Sequence, residues 1–170
     1  MAGTRAAREL QDAAEAASAA CRALDVLVPG FPRRQAQVLL RPSLLRTLVA
    51  LIERVDDGPP HALAASRAGA ALASVLRGRE ESHVATTTAA LAAAARRAPG
   101  ALVGLLEAWS RPLTREAGYW EGEGPTDIAI ILERLYMSDP SHATARAVLL
   151  DPRFPRALLQ LSRMPNLDPR

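Results

Sequence analysis

Three histidines, one cysteine and two pairs of adjacent carboxylates are the residues of this chain that could do chemistry. His61, His83 and His142 stand far apart, each near the start of an expected helix. No two share the H-x-x-x-H spacing that would turn two imidazoles toward one metal ion. They are expected in solvent, at turns. Cys21 is the one cysteine, so no disulfide and no cysteine-based metal cluster can form within the chain. Its alanine-rich helical setting predicts a small buried thiol. Asp56-Asp57 and Glu80-Glu81 fall at helix breaks. Carboxylates that share acid–base work face each other across a cleft, whereas neighbours at a helix start favour the helix dipole. Both pairs are expected to be caps. Thr86, Thr87 and Thr88 precede a run of alanines on a helix, where threonine hydroxyls bond back to the preceding turn; phosphorylation is the alternative use of these hydroxyls. No phosphate-binding loop, nucleophile elbow or dinucleotide fingerprint is present, and Gly122–Gly124 reads as a turn. The expectation is a non-enzyme that uses neither a metal nor a cofactor.

The elements that carry these residues are helical. Of 170 residues, 49% are hydrophobic but only 4% aromatic, so a core must be built from Leu, Val and Ala, and strand-forming runs are nearly absent. An all-α fold follows. All 21 basic residues are arginine, set against 18 acids for a net charge of +3 and a pI near 9.9. The arginines are scattered rather than gathered in a run, which argues against a nucleic-acid surface. The longest uncharged stretch, Ser82 to Ala95, falls short of the roughly 18 apolar residues that span a membrane. Acids among the first residues (Glu9, Asp12, Glu15) do not fit a signal peptide or presequence. No membrane partner is expected, and a cytoplasmic or nuclear location is.

A pattern recurs three times. Leu48, Leu102 and Leu158 align, and Leu51, Leu105 and Leu161 follow three places on. Upstream blocks align too: Leu24, Leu72 and Leu132, then Leu27, Val75 and Leu135. Two of these blocks end in Gly30 and Gly78, suited to a left-handed helix stop, and the third in Ser138-Asp139-Pro140. Between the blocks, Val38-Leu39-Leu40 and Pro42 match Val148-Leu149-Leu150 and Pro152, while the middle copy breaks at Pro99-Gly100. Each unit reads helix, break, short helix, proline or glycine break, helix. A helix with one apolar stripe buries it against the next unit, which is the logic of a solenoid.

The stretches "QAQVLLRPSLLRTLVALIERV" and "PPHALAASRAGAALASVLRG" resemble the first two helices and the third helix of an armadillo repeat, with the two-helix HEAT type as the near competitor. The resemblance covers nearly the whole chain. It implies a right-handed α-solenoid of about three repeats in one domain, 1–170: a partial repeat (1–30), a repeat (31–78), a repeat with an inserted loop at 110–126 (79–138), and a partial last repeat (139–170). It also implies a scaffold that binds another protein. Positions where importin-type repeats carry Trp and Asn hold Arg22/Val26, Ala70/Ser74 and Ile130/Arg134 here.

The residues expected to meet the partner are Arg22, Arg67, Arg77 and Arg134, exposed on third helices and suited to an acidic surface, with Tyr119 and Trp120 of the inserted loop as anchors. A nucleic-acid-binding helical repeat using the scattered arginines is the second reading, and an armadillo-like co-chaperone the third. At the C-terminal end, Leu158, Leu159 and Leu161 would lack one neighbour. That face is expected to be sticky, through self-association, continuation of the array or a partner helix.

Overall fold

The computed structural model describes residues 32–110 and 124–162, with positions 8 and 12 besides. It is all-helical: eight α-helices and one short 3-10 helix, with no strand among the described residues. The helices are α1 (Pro32–Leu39), α2 (Pro42–Glu53), α3 (Pro59–Leu76), α4 (Glu81–Arg97), α5 (Ala101–Ser110), α6 (Gly124–Ser138), α7 (Ala143–Leu149) and α8 (Phe154–Ser162). The 3-10 helix, Val55–Asp57, joins α2 to α3.

The breaks have local causes. Pro42 starts α2, where its missing N–H and fixed φ cost nothing. Gly58 takes φ 129° and ψ 176°, a conformation closed to residues with a side chain, and Pro59-Pro60 then open α3. Pro99-Gly100 separates α4 from α5 as expected. Ahead of α7, the Asp139 carboxylate accepts from the backbone N–H groups of Ser141 (2.9 Å) and Ala143 (3.1 Å). His142 sits there at φ 52°, its ring stacked on Tyr136. Gly78 differs from expectation: it is not left-handed, and α3 stops through a tight turn in which Gly78 N–H donates to Val75 O at 3.0 Å. Glu80 is the N-cap of α4 but makes no side-chain capping bond, and Asp57 pairs with Arg54 at 2.7 Å instead of capping. Gly124, expected in a turn, is the first residue of α6.

Three pairs of consecutive helices joined by short connections, the hairpins α1/α2, α4/α5 and α7/α8 by chain order, follow one another: α2 packs against α4 and α5, α4 against α7, α5 against α8. Helices α3 and α6 lie against each other, and α3 also touches α1, α2, α4 and α5. That enclosure buries α3 on nearly every side, including His61 and Arg67, 7% and 2% exposed. Both were expected in solvent, and both are corrected by the neighbours wrapped around the helix. The alanine-rich α3 allows a close crossing, since a Cβ at Gly69 would stand 2.7 Å from Leu105 Cδ2 and 3.3 Å from Trp109 Cζ2.

The three aligned leucines share a position but not an environment. Leu48 and Leu102 are buried, whereas Leu158 is 44% exposed. Likewise Leu39 is buried, while Leu149 and Leu150 are exposed, as is Leu159. Helix α8 packs on α5, and no further helix among the described residues covers its other side. The first unit's N-terminal block, with Cys21, Leu24, Leu27 and Gly30, lies outside the described residues, as does most of the inserted loop.

A group of polar contacts centres on Arg153. The Arg153 guanidinium lies 3.3 Å from Asp56 Oδ2 and 3.6 Å from Glu107 Oε2, and donates to Gly100 O at 3.0 Å and Asp151 Oδ2 at 3.2 Å. The hydrogen bond from Arg153 holds the Asp151 carboxyl below the usual carboxylate range.

Two expectations follow. Leu105→Ala should cost about 2–5 kcal/mol in denaturant unfolding, and Leu158→Ala under about 1 kcal/mol, since surface truncations are small. Because the folded-state pKa of Asp151 is depressed, its charge stabilises the fold at pH values above the unfolded pKa. That contribution fades as pH falls through the folded pKa. Asp151→Asn should therefore be less stable than the wild type at pH 6, with the gap closing below about pH 4 in a pH series of thermal melts.

Candidate functional site

The C-terminal ends of α3 and α6, one face of α4 and the start of α7 enclose an open cleft of about 910 Å³. Its long wall is the α4 face made by Glu81, Val84, Ala85, Thr88, Ala89, Ala92 and Arg96. The spacing of three and four keeps these side chains on one side of the helix. At a rise of 1.5 Å per residue the face runs about 22 Å. Its middle is small and apolar: Ala85 and Ala89 are exposed, and Val84 and Ala92 partly buried. Thr88 adds no free hydroxyl, because its Oγ1 donates to Val84 O at 2.8 Å; Thr86 and Thr87 bond back in the same way, as their sequence setting predicts.

Four guanidiniums stand around this wall. Arg77, the C-cap of α3, pairs with Asp127 in the first turn of α6, a carboxylate only 3% exposed. Arg134 donates from Nη2 to Leu76 O at 3.4 Å, and its Nε–H is buried with no acceptor among the described residues. Arg79 and Arg96 are exposed and make no ion pair among the described residues. Two acids share the lining, Glu81 and Asp139. The hydrogen bonds from Ser141 hold Asp139 below the usual carboxylate range, so it stays ionised. Basic side chains beside the carbonyl ends of α3 and α6 also offset the negative ends of those helix dipoles. Met137, in the lining, is 74% exposed; the Tyr136–His142 stack, with a centroid separation of 3.8 Å and an interplanar angle of 7°, is not part of it.

Of the partner-contacting residues expected from the sequence, Arg77 and Arg134 meet in this cleft. Arg67 is buried in α3 and cannot present itself. Arg22, Tyr119 and Trp120 lie outside the described residues. Sequence reasoning missed Arg79 and Arg96. Their signal was legible: two arginines flanking a helical face that carries only small side chains between them. A smaller cavity of about 660 Å³ lies on the other side of Arg79, between α1, the end of α3 and the start of α4.

His83 approaches Glu80 at 3.4 Å, and His61 lies in the first turn of α3. Among the described residues no three His, Cys, Asp or Glu side chains come together as a metal site. No single helix there is long and apolar enough to cross a membrane; α4 and α5 pass that test only as a pair, and they bend by 102° at the Pro99-Gly100 break. Comparison of the chain with protein-family models, with curated proteins and with solved structures gives no match.

The Arg77–Asp127 pair sets an asymmetric expectation. Arg77 is a third exposed and can turn to water, whereas Asp127 stays inside. Arg77→Met should therefore cost about 1–3 kcal/mol through the buried carboxylate it leaves behind, more than Asp127→Asn does, in paired urea titrations.

Proposed function

We propose that this chain is a non-enzymatic protein-binding module of the armadillo type, and that the cleft along α4 is its binding surface. The observation that carries the reading is the shape of that cleft: an open, elongated trough with a small-residue wall and arginines at each end. The order of packing supports the repeat assignment, since successive hairpins stack and α3 lies against α6 where third helices of neighbouring units would meet. A helical array presents such a trough on rigid elements, so binding needs little reorganisation. A fold alone does not imply a function, so the weight rests on the trough and its charges.

A photoreactive amino acid placed at Ala89, exposed on the α4 wall, tests the reading. Illumination in cell extract should give a discrete protein adduct that is absent when the same group sits at Ala50, exposed on α2. Adducts of equal yield from both positions, or none from Ala89, would remove the trough as a protein-binding surface.

A further inference from the structure

We propose that the occupant of the α4 cleft is an acidic linear segment of about six or seven residues, with carboxylates at both ends and small or apolar side chains between. This rests on the protein-binding reading above and specifies its chemistry.

The length comes from the wall. A face of about 22 Å matches six or seven residues of extended chain at 3.3–3.6 Å each. The charges come from its ends. Arg96 stands at one end, and Arg79 and Arg134 at the other. Arg77 stands with the latter two but is already neutralised by Asp127. Arg79 and Arg96 carry charge with no ion pair among the described residues, and a guanidinium accepts a carboxylate through two parallel hydrogen bonds. Arg134 lines the same end as Arg79, with its Nη2 donating to Leu76 O at 3.4 Å. Between the ends, Ala85, Ala89 and Ala92 offer no hydrogen-bonding side chain and no bulk, so a backbone can lie close with an apolar side chain against the wall.

The same lining disfavours a nucleic acid. It contains no aromatic side chain, so unpaired bases would find no stacking platform. Glu81 and Asp139 would oppose a continuous run of phosphates; a single carboxylate at the Glu81 end meets Arg79 and Arg134 as well as that acid.

The test uses the full chain and a fluorescein-labelled heptapeptide, Asp-Glu-Leu-Ala-Leu-Glu-Asp, read by fluorescence anisotropy. Its counterpart carries Asn and Gln at the acidic positions, and labelled oligothymidine is the third probe. The acidic peptide should bind, and its amide counterpart should bind at least tenfold more weakly. Arg79→Glu and Arg96→Glu should each weaken binding about three- to tenfold. Arg46→Glu, an exposed change on α2, should leave it unchanged. Circular dichroism should be unaltered and the melting temperature only slightly lowered, by the charge reversal near helix C-termini, which separates lost binding from lost folding. Equal binding of the two peptides, or indifference to both cleft reversals, would overturn the proposal. So would tighter binding of oligothymidine with the same sensitivity to Arg79→Glu and Arg96→Glu. If the acidic peptide fails while Ala89 still yields a protein adduct, only the acidic-segment chemistry falls and the protein-binding reading stands.

Discussion

Helix α3 can be enclosed because its side chains are small. A helix normally keeps one face in water, and one apolar on all sides belongs inside a core. Ala62, Ala64, Ala65, Ala68, Ala71 and Ala73 are all buried, and Gly69 lets α5 close until Leu105 and Trp109 lie where a methyl group would otherwise be. Larger residues would push the neighbours apart. Hairpins α1/α2 and α4/α5 meet across α3, and α6 leans on it. The cleft is set by the same packing, since its walls are α4, the end of α3 and the end of α6.

Much of this was legible in the sequence, for reasons that differ from residue to residue. Pro42, Pro99-Gly100 and Ser138-Asp139-Pro140 mark breaks because backbone chemistry acts locally, whatever packs nearby. Leu102 and Leu105 read as core because large apolar residues at a spacing of three mark one face. Arg67 did not read correctly. In an alanine-rich helix small residues occur on every face, so the pattern gives no sign of which side meets water, and a lone arginine looks exposed by its type alone. Leu158 misleads in the opposite way. It repeats the type and position of Leu48, but burial depends on what lies opposite, and that information sits elsewhere in the chain.

The candidate site shows a similar division. The arginines were visible, but their convergence was not, because Arg77 and Arg79 precede α4, Arg96 lies in its last turn, and Arg134 comes from α6. Only the packing of α6 on α3 and α4 joins them. Asp127 has a part in this arrangement that its surroundings in sequence do not reveal. Set in the first turn of α6 and nearly fully buried, it neutralises Arg77 and leaves the cleft's uncompensated charge to the other three guanidiniums.

The contacts of Arg153 bear on how the molecule comes apart. A terminal helix pair can fray while the rest of a fold stays in place, and here that pair packs on α4, α5 and α6. Arg153 reaches from the α7–α8 connection to the α4–α5 connection at Gly100 and to the 3-10 helix at Asp56, so one side chain ties three connecting segments together. Opening the last pair then also releases the contact with the 3-10 helix that follows the first. Fraying of the last hairpin therefore breaks polar contacts to segments far from it in sequence as well as its packing on α5.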